Sequence, residues 1–269
     1  MPLRLEPQPT FRDALEAADR ALAGMWVCSG SPLVAEICAG AGLDWLLIDA
    51  EHSPNGLESV LAQLQAVHGY PGHVLVRPPV NDTVLIKQYL DLGAQNLLLP
   101  MVNSAAEARA AVAATRYPPH GVRGVGSALA RSARWNRIPE YLARASETIS
   151  LTVQIESASA VDAVEDILAV DGVDAIFLGP SDLAASLGLL GQQEHPKVRA
   201  AVEHCLLSAM AAGKPAGVNA FNPDTARHYL GAGAAFVLVG ADVALLARGS
   251  EALAAAFVNR QDDAGTASY

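Results

Sequence analysis

Polar residues of catalytic type close five apolar runs in this chain. Trp45–Ile48 ends in Asp49-Ala50-Glu51-His52, and Val74–Val76 ends in Arg77. Further on, Gln154 and Glu156 close the run from Leu151, Gly179-Pro180-Ser181-Asp182 follows Phe177-Leu178, and Asn219 follows Ala216-Gly217-Val218. Glu156 and Asp182 come after consecutive runs. On adjacent strands, ~4.8 Å apart, two such carboxylates need a cation or a shared proton. With waters and a chelating substrate they suit Mg²⁺ or Mn²⁺, hard ions that take oxygen ligands. Taken singly, Asp182 also reads as a helix N-cap and Glu156 as an exposed loop carboxylate.

His52 lies three residues after Asp49, within reach of its carboxylate across one turn. That pairing fixes the imidazole tautomer and leaves the other nitrogen as a base; a rim histidine without a role is the alternative. Arg77 emerges into Pro78-Pro79. Its planar fork suits a carboxylate or enolate oxygen, or equally a neighbouring acid, and nothing nearby in the sequence decides between them.

Other chemistries fit poorly. The only lysines are Lys87, Lys197 and Lys214, in or beside helical stretches or at the start of an apolar run. Schiff-base chemistry needs a lysine inside the site. Gly240-Ala241-Asp242 sets an acid where barrel enzymes hold phosphate, and Asp242 is expected to cap the next helix. Arg123-Gly124-Val125-Gly126-Ser127 follows no strand-like run, so it is a weak dinucleotide loop. Arg116, Arg123, Arg131, Arg134, Arg137 and Arg144 crowd the same region of an acidic chain. They read as subunit contacts or surface pairing, or as a positive field drawing an anionic substrate to the site.

The elements that must position these residues share one design. AGAGLDWLLID, LDLGAQNLLLP, VDGVDAIFLG and LGAGAAFVLVG each run from a helix end through a glycine into an apolar run. Gly42, Gly93, Gly172 and Gly233 sit where a helix stops in a left-handed conformation, and the runs suit parallel strands buried on both faces. Strands are predicted near 25–29, 45–50, 73–77, 96–101, 150–155, 174–179, 215–220 and 235–240. Helices are predicted near 31–41, 57–68, 82–92, 105–115, 158–169, 182–187, 197–212, 223–231 and 243–257. Eight alternations predict a single-domain (β/α)8 TIM barrel rather than an open sheet. Residues 117–148 interrupt the rhythm as a long insertion between strands four and five, with a short helix near 137–146. The expected division is a lead-in over 1–20, the barrel over 21–260 and a flexible tail over 261–269.

Composition agrees. At 269 residues, 51% hydrophobic and 17% charged, the chain has the length and apolar content of one such barrel. No apolar run reaches the ~20 residues of a membrane span. Glu6, Asp13, Glu16 and Asp19 make the start an amphipathic segment rather than a signal peptide, so a cytoplasmic protein is expected. A net charge of −10 argues against nucleic-acid partners. Cys28, Cys38 and Cys205 form no disulfide framework and are expected to be small buried hydrophobes.

DWLLIDAEHSPNG, VRPPVNDTVLIKQYLDLGAQNLLLPMV, RGVGSALARSARWNRIPEY, VQIESASAVDAVEDI and DAIFLGPSDLAASLG closely resemble the HpcH/HpaI class II pyruvate aldolases, over roughly residues 20–250. The resemblance implies Glu156 and Asp182 as ligands of Mn²⁺, Mg²⁺ or Co²⁺, and Arg77 on the keto and carboxylate oxygens of pyruvate. Gln154 and the backbone at Gly179 and Ser181 would hold the carboxylate. His52, paired with Asp49, would manage the aldol hydroxyl proton, and Trp26 would line the aldehyde pocket. Asp91 would serve a neighbouring subunit's site within a homohexamer, a trimer of dimers that exchanges the last helix. The reaction implied is reversible cleavage of 4-hydroxy-2-oxoheptanedioate to pyruvate and succinic semialdehyde. Competing readings are a 2-dehydro-3-deoxyglucarate or 2-keto-3-deoxyrhamnonate aldolase, more distantly a thioester-cleaving lyase, or a non-catalytic small-molecule-binding barrel.

Overall fold

Short, mostly apolar runs suit strands covered on both sides, and eight of them form the centre of this protein. The computed structural model describes residues 3–258, so the tail predicted over 261–269 lies outside the described residues. The strands are β1 (Leu22–Val27), β2 (Trp45–Asp49), β3 (His73–Arg77), β4 (Asn96–Leu99), β5 (Ser150–Ile155), β6 (Ala175–Leu178), β7 (Ala216–Asn219) and β8 (Phe236–Ala241). They pair in sequence order, all parallel, and β8 returns to β1 to close the barrel. A single (β/α)8 barrel is therefore the fold.

The helices are α1 (Phe11–Ala17), α2 (Pro32–Ala39), α3 (Leu57–Ala66), α4 (Thr83–Asp91), α5 (Ala105–Thr115), α6 (Tyr141–Arg144), α7 (Ala158–Asp162), α8 (Val164–Leu168), α9 (Pro180–Ser186), α10 (Pro196–Ala211), α11 (Pro223–Gly231) and α12 (Asp242–Phe257). None is long and apolar enough to cross a membrane among the described residues. Ser31, Asp82, Ser104, Ser157 and Asn222 cap α2, α4, α5, α7 and α11 by accepting first-turn amides. The four predicted stop glycines all have positive φ, from +87° at Gly42 to +104° at Gly233.

Alternation divides the core in two. Leu22, Trp45, Leu47, Leu75, Leu98, Phe177 and Phe236 point into the barrel, while the intervening residues pack against the helices. Phe11 plugs the N-terminal end, 5.4 Å from the Trp45 ring and 5.2 Å from Phe236, so part of the lead-in belongs to the barrel. Its amide donates to Asn96 Oδ1 at 2.7 Å.

Several boundaries differ from expectation. β1 begins three residues earlier than predicted because Ala23-Gly24 reads as a turn; a Cβ on Gly24 would lie 2.4 Å from the Trp45 indole, so the glycine admits that ring. The helix predicted over 158–169 breaks at Ala163 into α7 and α8. The insertion follows α5, as the predicted helix over 105–115 implies, and that exit puts it at the N-terminal face, away from the reactive end. Its short helix is α6, flanked by 3₁₀ turns at Arg131–Ala133 and Ala145–Thr148.

The arginines of that stretch consequently do not surround the mouth. Arg116 pairs with Asp171, Arg144 with Glu147 and Arg123 with Asp91, while Arg131 donates to the Leu92 carbonyl at the end of α4. Within one chain they therefore set no positive field at its own mouth.

Candidate active site

The strand alternation that builds the inner core continues upward by one layer. Asp49 follows Leu47 by two, Arg77 follows Leu75, Gly179 follows Phe177, and Asn219 follows Gly217. The C-terminal rim therefore presents polar groups inward from several strands, where barrel enzymes place their chemistry.

Arg77 is the hub. Nε donates to Asp49 Oδ1 at 2.8 Å, and Nη1 lies 2.9 Å from Glu51 Oε2 and 3.4 Å from Gln154 Oε1. The guanidinium sits 4.2 Å from the centroid of the Trp26 ring, whose Nε1 donates to Asn219 Oδ1 at 3.0 Å. Burial opposes the charge of Asp49, yet the hydrogen bond and charge of Arg77 hold its carboxyl below the usual range. Burial wins at Glu51, which is raised despite Arg77. The Glu51 contact is an ion pair that lacks hydrogen-bond geometry, and Oε2 is buried without a hydrogen-bond partner.

The predicted pairing of the His52 imidazole with Asp49 is not formed. Asp49 Oδ2 accepts from the His52 backbone amide at 3.2 Å and from Ser53 Oγ at 3.1 Å, so its acceptor capacity goes to the loop and to Arg77. The His52 ring is 67% exposed, with Nε2 3.9 Å from Glu51 Oε2. Glu51 was visible only as one acid of the rim tetrapeptide; its inward position depends on the loop that Asp49 organises.

Glu156 is buried beside Gln154 Nε2, and Oε1 accepts from the Met101 amide at 2.7 Å. Burial pushes its carboxyl up to about 7, with Asp182 and Glu51 adding to the rise. Asp182 lies exposed in the first turn of α9, where Gly179 and not the aspartate is the cap residue. A Cβ on Gly179 would approach Gln154 Nε2 and Glu156 Oε2 to 3.0 Å, so a glycine is what lets these two side chains fill the cradle. Ser181 is exposed beside Asp182.

A buried carboxylate, destabilised by two further acids and offering only oxygen donors, is a fitting place for a hard divalent cation. Among the described residues no group of three or more His, Cys, Asp or Glu side chains forms a ready ligand cluster. Substrate and water would complete any coordination shell here.

Asp242 is the first residue of α12, with Ala241 as the cap. Its carboxylate accepts from the amides of Cys28, Ser29 and Val243 at 2.8–3.0 Å, occupying donors a phosphate would use. Asp91 stands apart from the mouth, ion-paired through Oδ1 to the buried Arg123 at 3.0 Å. That contact supplies within one chain the compensation an acid at a helix C-terminus requires.

Residues 22–249 match the HpcH/HpaI aldolase/citrate lyase family. The chain belongs to that family. An HpcH/HpaI protein from Burkholderia cenocepacia has the same fold, with a TM-score of 0.88 at 39% identity over 91% of this chain and 98% of its own. A 4-hydroxy-2-oxo-heptane-1,7-dioate aldolase from Salmonella dublin is 55% identical over 92% of this chain and 94% of its own. A hydroxypyruvate/pyruvate aldolase from Deinococcus radiodurans is also 55% identical, over 96% and 94%. This HpcH/HpaI member is accordingly an aldolase, a carbon–carbon lyase acting on small molecules.

Proposed function

We propose that this aldolase cleaves 4-hydroxy-2-oxoheptanedioate to pyruvate and succinic semialdehyde with a divalent metal, Mn²⁺, Mg²⁺ or Co²⁺. The observation that carries the reading is the buried Glu156 beside Asp182 and within the field of Arg77. Glu156 and Asp182 would hold the cation, which when bound supplies Lewis acidity toward the keto oxygen. The guanidinium of Arg77, fixed by Asp49 and Glu51, donates to the oxygen on which enolate charge develops. Gln154 and the backbone at Gly179 and Ser181 hold the pyruvate carboxylate, and Trp26 lines the aldehyde side. His52 takes the proton of the C4 hydroxyl. The C3–C4 electron pair then becomes the enolate, and a solvent proton delivered to C3 completes pyruvate.

The equal identity of the Deinococcus protein favours a second reading, in which hydroxypyruvate serves in place of pyruvate. Both share the enolate chemistry and differ at C3. We further assign Asp91 to a neighbouring subunit's site in a homohexamer; Arg123 engages only its Oδ1, and the side chain keeps 29% exposure.

In D₂O with Mn²⁺, the protein is expected to exchange the methyl protons of pyruvate, seen by NMR. Mn²⁺ binding measured by calorimetry should be lost in Glu156→Gln. Exchange that persists after exhaustive chelation would overturn the metal, and cleavage of neither candidate substrate would overturn the assignment.

A further inference from the structure

We propose that the N-terminal face of the barrel carries a second binding site, for a small oxyanion held by Arg131 and Arg134 beside His68. The insertion and the lower ends of α3, β3 and β4 enclose a cavity of about 300 Å³, lined by His68, His73, Gln95, Asn96, Arg131 and Arg134 among others. No carboxylate lines it. In a chain of net charge −10, a cavity with two guanidiniums and no acid is a local reversal of sign. Glu6 lines a smaller adjoining space of about 90 Å³, which the same two arginines border.

The two arginines differ in their ties. Arg131 lies across Gly93, where a Cβ would come within 2.7 Å of Nη1, and donates to the Leu92 carbonyl at 3.0 Å. Its partners are neutral, so its charge is not matched. Arg134 makes no ion pair among the described residues and stands half-buried at a left-handed position, φ 49°, followed by Trp135 and Asn136 at 53° and 62°. Burial and the neighbouring Arg134 lower Arg131 to about 10, and burial lowers Arg134 too. His68 is lowered by burial and by both guanidiniums. Three cationic or neutral donors thus face one space without an acceptor of charge. Two forked guanidiniums provide the planar donors that phosphate or carboxylate oxygens accept. The volume far exceeds the ~15 Å³ that one water needs, leaving room for an anion with its hydration.

Calorimetry with inorganic phosphate, and separately with succinate, against sodium chloride at equal ionic strength tests the proposal and separates the two anion sources. Saturable binding of one of them is expected, at least tenfold weaker in Arg134→Asn, a residue type that suits the left-handed backbone. A second variant, Arg131→Lys, keeps the charge but loses the fork, and should weaken binding as well. Succinate titrations are repeated in Arg77→Lys, so that binding at the mouth is told apart. Absence of saturable binding, or affinity unchanged in Arg134→Asn, would overturn the site. Stability that falls on dilution and ignores added anions would overturn it in favour of a second chain's acid.

Discussion

Asp49 and Arg77 are register partners on the last rung between β2 and β3, and their side chains meet at 2.8 Å. The two are 28 residues apart in sequence. Pairing adjacent strand ends makes the arginine's fork rigid before any substrate arrives, and leaves Nη1 to face Glu51 and Gln154. Rigidity of that kind matters where charge develops, because donors already in place need no reorganisation.

Arg77→Lys should therefore cost about 2–4 kcal/mol of transition-state stabilisation, since lysine keeps the charge and loses the fork. Pyruvate proton exchange and aldol cleavage are expected to fall together, because both pass through the enolate. Steady-state kcat/KM and exchange rates compared on one preparation decide it; intact exchange with collapsed cleavage would move Arg77 to the aldehyde side.

For His52 the expected result is a separation of functions. His52→Ala should slow cleavage by ~10²–10⁴ while Mn²⁺ affinity holds, because the ring lies beside Glu51 and is tied to no carboxylate of the cradle. Loss of metal in this variant, measured by calorimetry, would make the histidine a ligand.

Gly179→Ala tests the cradle itself. The added methyl would crowd Gln154 and Glu156 at 3.0 Å, forcing a shift of a few tenths of an ångström in the pair. Activity should drop by on the order of 10–100-fold with little change in melting temperature. A fully active alanine variant would show that Glu156 tolerates displacement.

Asp91→Ala removes the acid from Arg123, whose side chain is fully buried and otherwise meets Tyr141 Oη and the Tyr117 ring. Destabilisation of about 2–3 kcal/mol is expected, less than for a fully buried pair because Asp91 is partly solvated. Co-expression with Glu156→Ala should restore part of the rate if Asp91 also serves a neighbour. Mixed oligomers verified by mass spectrometry and still inactive would confine Asp91 to its own chain.

Asp44 sets a pH dependence. It accepts from both Nη atoms of Arg20 at 2.7–2.8 Å and from the Ala23 amide at 2.9 Å, and these bonds hold its carboxyl below the usual 3.8. With the folded value depressed, the unfolded chain binds more protons in acid. Its contribution is complete above pH 3.8 and is lost as pH falls through the folded value. Thermal melts of Asp44→Asn should lie below wild type at neutral pH and converge with it in acid, once the folded carboxyl is protonated. A constant gap would assign the effect to packing.

The barrel was legible because its signals are local. Apolar runs at each strand, glycines such as Gly93 and Gly172 at helix ends, and polar residues at the strand tips each depend on a few neighbouring positions. Alternation alone then puts Arg77 and Gln154 on the inner face. Tertiary structure decided what distance along the chain conceals. Strand register gave Asp49 Oδ1 to Arg77, and the turn gave Oδ2 to the His52 amide and Ser53 Oγ, leaving no acceptor for the His52 ring. The exit of α5 sent the insertion to the N-terminal face, which an arginine count does not reveal. Asp91 found Arg123 only when that insertion folded against α4, because an ion pair between residues 32 apart is set by packing and leaves no periodic mark.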